Sequence, residues 1–321
     1  MHRFVAGLAA FAFLASACVA LADGQTQYVT QGGLGVTAPD GKTRYVAVVA
    51  RNGTVIERIR VANGAVVSWT GLSGFWGIPA PIPTASGGEG LTRDGKRLII
   101  AMTGSDSTQF AVLGARFLRV LDRFTLNGNF AYDALSPDGS TLYLIQHVDL
   151  SDSTRYVVRA YDLKTHTLRP GRIADKTQQG WVMAGYAAAR ATSGDGHWVY
   201  TLYTRPGGYP FVHALDTVSG VAHCTGLPWH GNQGPLMTSR LRLGDNDKTL
   251  ALRLKGGRTW IAMNTANWRL THVQPSGGSS WRWPLAGAGA VAVLLALGFA
   301  VLRLRRRGSV GDEPTQLLRP A

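Results

Sequence analysis

The chain has 321 residues and carries 33 Lys and Arg against 19 Asp and Glu, which gives a formal net charge of +14. Its two cysteines are Cys18 and Cys224, and because Cys18 lies in a predicted export signal, no intrachain disulfide is expected. The fold must therefore be stabilised by burial of apolar surface alone, which the size of the chain permits.

The N-terminus has the pattern of a cleaved export signal. A basic start at Met1-His2-Arg3 precedes an apolar run from Phe4 to Leu21, and Ala20-Leu21-Ala22 places small residues at a cleavage site. Residues 1–22 are thus predicted to be a signal peptide. One alternative is a lipoprotein signal acylated at Cys18, disfavoured by Ala15 where a bulky aliphatic residue is expected, and another is an uncleaved anchor.

A short turn-and-strand unit recurs along most of the chain after the signal. Its clearest copy is Leu135–Ile145, in which Pro137-Asp138-Gly139 leads into an apolar run. Weaker copies lie at Asp40-Gly41, Asp94-Gly95, Asp195-Gly196 and, in degraded form, Asp245-Asn246-Asp247. In such turns the aspartate bonds to nearby backbone and the glycine takes a positive φ, so these aspartates are interpreted as structural.

The segments between these turns predict strands, and no stretch before residue 285 keeps a helical period for three turns. The third copy predicts strands at 130–135, 141–146 and 156–163 and a hairpin into a fourth. A four-stranded repeat cannot bury both faces of its sheet alone, so copies must stack around a common axis. We therefore predict an all-β fold, a β-propeller of five four-stranded blades. A sixth, within residues 71–125 or completed by a strand at Tyr28, is the alternative.

The pattern S-P-D-G-x-x-L-Y at residues 136–143, followed by V-x-x-x-D-x-x-T at 158–165, resembles the YVTN/PD40-type propeller repeats related to the WD40 class. The resemblance covers nearly the whole exported region, residues 23–274, and implies the propeller fold. Propellers of this kind serve as binding platforms, as sugar or peptide binders and, in a minority, as enzymes such as lactonases. The resemblance therefore does not choose a function.

Several connections that lead into a new blade carry aromatic residues among glycines. If they converge on one mouth of the central channel, they form a partly apolar site suited to a glycan or a peptide. The candidate ligand-binding residues are Trp76, Trp181, Trp229, His230, Asn232 and Gln233. The alternative is that each Trp packs between neighbouring blades.

Two histidines near the free cysteine were considered as metal ligands. A five-residue loop from Asp216 to Gly220 would place His213 and His223 opposite each other, with Cys224 and His230 close in sequence. No established zinc spacing is present, however, and Cys224 should face the other side of the strand from His223. We predict neither a metal nor another cofactor.

The C-terminal part predicts a membrane anchor. After a flexible tether at 275–284, residues 285–302 form an uncharged apolar run of 18 residues, which at about 1.5 Å per residue spans roughly 27 Å of bilayer. The predicted anchoring residues flank this run: Trp281 and Trp283 before it, and Arg303, Arg305, Arg306 and Arg307 after it. The arginines place the tail, 303–321, in the cytoplasm and the propeller outside.

Residues 23–284 alone contain 27 Lys and Arg against 17 Asp and Glu. Outside a membrane, this surplus would attract anionic wall polymers, acidic glycans or lipid headgroups, although along the sequence the charges are scattered. The predicted location disfavours nucleic acid. The leading hypothesis is a non-catalytic, single-pass binding or scaffold propeller at the cell surface, with a wall polymer, glycan or protein as partner. The alternative is an enzyme of the lactonase or glycan-cleaving kind, which requires converging acidic side chains or a metal in the channel.

Overall fold

The computed structural model describes residues 29–30, 35–82, 88–177 and 183–272. The predicted signal peptide, tether, transmembrane helix and tail lie outside these residues. The described part is almost entirely β-structure, because its β-branched and aromatic runs are short and are interrupted by Gly, Asp and Pro.

In the described residues, five antiparallel sheets of three to five strands follow one another along the chain, and a sixth sheet has two strands. Blade 1 contains β2 (Val36–Thr37), β3 (Thr43–Ala50), β4 (Gly53–Arg60) and β5 (Val66–Ser73), while β1 (Val29–Thr30) pairs with β6 (Ile78–Pro79). Blade 2 contains β7 (Arg97–Thr103), β8 (Ser107–Gly114) and β9 (Arg119–Asn127). A single bridge from Leu91 to Leu98 continues its inner edge.

Blade 3 contains β10 (Phe130–Leu135), β11 (Thr141–His147), β12 (Arg155–Asp162) and β13 (Thr167–Leu168), and β14 (Met183–Ala184) also pairs with β12. Blade 4 contains β15 (Tyr186–Thr192), β16 (Trp198–Thr204), β17 (Phe211–Asp216) and β18 (Val221–Gly226). A short 3₁₀ helix, Gly234–Thr238, leads into blade 5, which contains β19 (Arg240–Gly244), β20 (Thr249–Arg253), β21 (Thr259–Asn264) and β22 (Leu270–His272).

The Asp-Gly turns have the predicted structural role. In blade 3, Asp138 Oδ1 accepts a hydrogen bond from the Ser136 hydroxyl at 2.6 Å and from the Ser140 backbone N–H at 3.0 Å. These bonds lower the pKa of Asp138 to about 2. Gly139 takes the left-handed conformation at φ 64°, and the corresponding turns around Asp94 and Asp195 are bonded in the same way.

Apolar clusters join the blades in sequence order: one between blades 1 and 2, one between 2 and 3, one between 3 and 4, and one between 4 and 5. Their largest fully buried side chains include Trp76, Phe110, Tyr143 and Tyr200. Each fully buried aliphatic side chain contributes about 1.5–3 kcal/mol relative to an exposed one. Within the described ranges, no comparable cluster joins blade 5 to blade 1, and Trp69 on the outer strand of blade 1 is 67% exposed.

The described residues therefore form a five-bladed β-propeller, which confirms the all-β propeller prediction and the strands predicted for blade 3. The described residues of 71–125 complete the outer strand of blade 1 and build blade 2 and its connection, not a sixth blade. In the described part of the chain, we find no helix with the length and apolar character needed to cross a bilayer. The segment predicted to do so, 285–302, lies outside that part.

Candidate functional site

A buried arginine occupies the centre of the propeller. Only 5% of the Arg190 side chain, on the inner strand of blade 4, is exposed. Its Nη1 donates to Asp133 Oδ1 at 3.0 Å and to Thr201 Oγ1 at 2.9 Å. Its Nη2 donates to the backbone carbonyl of Asp133, and its Nε lies 3.1 Å from Glu89 Oε1. One guanidinium thus joins blades 2, 3 and 4.

Local backbone features place these three side chains. Asp133 lies at a β-bulge of β10, where the register shifts between Tyr132 and Ala134. Such a bulge redirects a side chain that would otherwise follow the regular alternation. Glu89 precedes Gly90, whose φ is 93°, and a Cβ at Gly90 would lie 2.7 Å from the Ile99 carbonyl oxygen. Only glycine allows the Glu89 segment to approach blade 2 so closely.

Burial and charge act against each other in this cluster. Burial raises the pKa of the Glu89 carboxyl above its ordinary value, the Asp133 charge adds to that effect, and Arg190 opposes it. Burial also disfavours the charge of Arg190, but the Glu89 and Asp133 carboxylates outweigh it and hold the pKa of Arg190 above its ordinary value. The cation is therefore stable only while its acidic partners remain.

Two cavities open on either side of this cluster. One, of about 560 Å³, lies where connections enter blades 2 and 5, and its lining includes Ile82, Met237, Arg240 and Arg242. The other, of about 340 Å³, lies at the opposite mouth among the turns that follow the inner strands. Glu89 lines both cavities, and its side chain is 33% exposed. We call the larger one the axial cavity.

A third concave region lies between blades 1 and 2, on the side of the Asp-Gly turns. This basic groove has a volume of about 670 Å³. Its lining includes five cationic side chains: Arg58, Arg93, Lys96, Arg116 and Arg119. Two aromatic rings, Tyr45 and Phe117, line it as well. Phe117 is 64% exposed, and the Arg116 guanidinium lies 5.0 Å from the centre of its ring.

The acids of the basic groove are already engaged. Asp40 Oδ1 accepts a hydrogen bond from the Lys42 backbone N–H at 2.9 Å. Asp94 Oδ1 accepts from the Thr92 hydroxyl at 2.7 Å and from the Lys96 backbone N–H at 3.0 Å, and these bonds hold the pKa of Asp94 below its ordinary value. Asp94 Oδ2 also lies 3.6 Å from Lys96 Nζ. Five cations therefore face two carboxylates, and the groove is net positive.

The aromatic residues predicted to bind a ligand lie in two separate interfaces. Trp76 is 1% exposed in the core between blades 1 and 2, and its Nε1 donates to the Ser73 carbonyl at 2.8 Å. Trp229 packs against the core between blades 4 and 5, with its ring edge-on to Trp260 at 4.9 Å. The structure does not bring these two tryptophans together, and Trp181 lies outside the described residues.

The polar residues predicted near Trp229 remain in the same connection. The Gln233 amide holds the 205–208 loop, because it donates to the carbonyls of Arg205 and Gly208 and accepts from the Arg205 N–H. Asn232 Oδ1 accepts from the Gly234 N–H at 2.8 Å, and His230 is exposed. Ligand binding by this set stays a prediction, as does anchoring by Trp281, Trp283, Arg303, Arg305, Arg306 and Arg307, all outside the described residues.

The prediction that His213 lies opposite His223 is wrong, because the register of the two strands differs by one residue from the expected one. The hairpin closes Asp216 on Val221, so His213 pairs with Cys224 and His223 pairs with Ala214 on the other face. His213 Nδ1 lies 3.4 Å from Cys224 Sγ, while His223 Nδ1 lies 3.3 Å from Asp175 Oδ2. Among the described residues, no group of three or more His, Cys, Asp or Glu side chains is placed to hold a metal ion.

The sequence analysis did not identify the cluster of Arg190, Asp133 and Glu89, which we call the axial cluster, although the sequence contains a signal for two of its members. Asp133 lies within the apolar strand Phe130–Leu135, and Arg190 lies within a run of alanines at 187–191. A lone charge in an otherwise apolar inner strand must be paired when that strand is buried. This reasoning could have selected both residues, but not their common partner Glu89, which lies in an irregular connection.

Comparisons with known proteins leave the function open. No protein family and no curated protein matches this sequence. Among solved structures, hydrazine synthase from Kuenenia stuttgartiensis aligns at 14% identity and a TM-score of 0.47, covering 78% of this chain and 68% of that one.

An oligogalacturonate lyase in complex with manganese aligns at 12% identity and a TM-score of 0.47, covering 78% and 66% of the two chains. The β-propeller domain of Cps50 (Swd1) from Myceliophteria thermophila aligns at 11% identity and a TM-score of 0.45, covering 78% and 70%. At these levels the similarity carries no argument about function.

Removing the positive charge of Arg190 should destabilise the propeller strongly. Replacing Arg190 by Met leaves the Asp133 carboxylate buried without its partner, so we expect the free energy of unfolding in urea to fall by about 3–5 kcal/mol. Arg169→Met removes a surface pair, Arg169 to Asp162 at 2.9 Å, and should cost about 1 kcal/mol or less. Equal losses for the two variants would contradict a structural role of the axial cluster.

Acid should destabilise the fold through His213. Burial lowers the pKa of His213 to about 4, with Arg190 adding to the effect and Asp133 opposing it. Since the ordinary value is 6.5, the unfolded chain takes up the proton first. This group should therefore remove about 3 kcal/mol of stability as the pH falls from about 6.5 to about 4.

Urea unfolding at several pH values tests this expectation. The difference in unfolding free energy between the native chain and His213→Gln should shrink as the pH falls through that window. His272→Gln, which changes an exposed histidine, serves as the control and should not alter the pH dependence. A difference that is constant between pH 7 and pH 4 would show that His213 is not the titrating group.

Proposed function

We propose that this chain is a membrane-anchored, extracytoplasmic β-propeller that binds an anionic wall polymer or acidic glycan in the basic groove between blades 1 and 2. The observation that carries the proposal is the grouping of five cationic side chains in one cavity that contains only two acids, Asp40 and Asp94, the second of which pairs with Lys96. An extended polyanion would supply the missing counter-charges.

The shape and chemistry of the basic groove favour a glycan over a small inorganic anion. Its volume of about 670 Å³ is within the range of sites for organic ligands, roughly 300–1,000 Å³. The exposed ring of Phe117 offers a flat apolar surface beside the cations, whereas Tyr45 is buried in the core between blades 1 and 2. Sugar rings pack on such surfaces while arginines pair with carboxylate or phosphate groups.

Binding to a defined acidic polymer tests the groove. Full-length chain in mild detergent should bind alginate but not neutral dextran, and added salt should weaken that binding. The triple variant Arg93→Gln, Arg116→Gln, Arg119→Gln should bind about tenfold more weakly. Its matched control, Lys248→Gln, Lys255→Gln, Arg258→Gln, removes the same charge from exposed turns of blade 5 and should retain binding. If both triples lose affinity equally, the net charge and not the groove determines binding.

Membrane anchoring is the second part of the proposal, and it is supported by the apolar run 285–302 between tryptophans and arginines. Full-length chain should remain with membranes after washing at alkaline pH, whereas a chain ending at residue 284 should be released. Protease added outside intact cells should digest the propeller. Release of both forms by the wash would exclude a spanning helix.

The enzymatic alternative requires acidic side chains that converge on the channel. Glu89 and Asp133 do converge, but they do so on Arg190, and the Asp133 side chain is only 2% exposed. Asp133 is thus buried, and both carboxylates are paired with the same cation. Such a pair is poorly placed to transfer protons to or from a substrate. We therefore favour binding over catalysis.

A further inference from the structure

The axial cavity is lined by two arginines that do not line the basic groove. Arg240 and Arg242 lie two residues apart on β19, and both line the cavity. Leu241, between them, is buried in the core with blade 4. Because side chains alternate along a strand, both arginines project from the face turned away from blade 4, about 7 Å apart.

Neither arginine is neutralised within the described ranges. Both residues are exposed, and no acidic side chain there forms an ion pair with either of them. Arg253 is the cross-strand partner of Arg240 and adds a further cation to the same face. The blade 5 wall of the axial cavity is therefore positive and open to an anion.

The opposite side of the cavity supplies an acceptor. Glu89 Oε1 lies 3.1 Å from Arg190 Nε, and a third of the Glu89 side chain is exposed. Since a carboxylate accepts several hydrogen bonds, Glu89 can accept one from a ligand hydroxyl as well. Ile82, Ala189 and Met237 provide apolar surface between the two charged walls.

We propose that the axial cavity is a second binding site, for a small molecule that combines one anionic group with hydroxyl groups, as a sugar acid does. Its carboxylate or phosphate binds Arg240 and Arg242, and one of its hydroxyls donates to Glu89. The cavity volume of about 560 Å³ suits an organic ligand of this size. This site lies on blades 2, 4 and 5 and is independent of the basic groove.

Isothermal titration of full-length chain with three probes tests the site. Glucuronate has both required features, glucose lacks the anion, and acetate lacks the hydroxyl groups. We expect binding of glucuronate, with glucose and acetate at least about tenfold weaker. The double variant Arg240→Gln, Arg242→Gln should lose glucuronate binding, and Glu89→Gln should weaken it. Both arginines are exposed, so the double variant is expected to fold.

Two controls separate this site from the groove. Lys255→Gln, Arg258→Gln removes two charges from a loop of blade 5 and should leave glucuronate binding unchanged. The groove variant Arg93→Gln, Arg116→Gln, Arg119→Gln should also bind glucuronate normally, even if it no longer binds alginate. Absence of glucuronate binding to the native chain, or its loss in the groove variant alone, would overturn the proposal.

Discussion

The buried guanidinium of Arg190 is the interaction on which the centre of this propeller depends. Apolar clusters between neighbouring blades provide most of the burial, but they act pairwise along the chain. Arg190 instead joins three blades at once through Asp133 and Glu89. Buried ion pairs add little net stability compared with apolar packing, yet they penalise any arrangement that separates the partners. The cluster therefore specifies how the inner strands meet.

This arrangement leaves function to the surfaces around the axis. The cations of blades 1 and 2 come from one turn, a middle strand and a hairpin, so their grouping exists only in the folded chain. The two acids among them, of which Asp94 pairs with Lys96, are outnumbered by the five cations and leave the groove positive. Blade 5 presents its own arginines to the axial cavity. Both surfaces favour anionic ligands, which agrees with the overall basic composition.

Much of the fold was predictable because it is encoded locally. The Asp-Gly turns and the period-2 runs identified the strands of blade 3, and the structure places them within a residue of those expectations. The sites were not predictable in this way. A hairpin loop one residue shorter than expected changed the partner of His213, and the basic groove joins residues more than seventy positions apart, from Ala38 to Leu121. Such sites depend on the stacking order of blades, which no local pattern contains.

The central claim is that the groove between blades 1 and 2 binds an acidic glycan. Amide hydrogen exchange of the full-length chain, with and without alginate oligosaccharides, tests it most directly. We predict slower exchange at the groove turn, residues 93–96, and at the hairpin, residues 114–121, and unchanged exchange in the outer hairpins of blades 4 and 5. Protection confined to other blades, or no protection at oligosaccharide concentrations that saturate binding, would contradict the account.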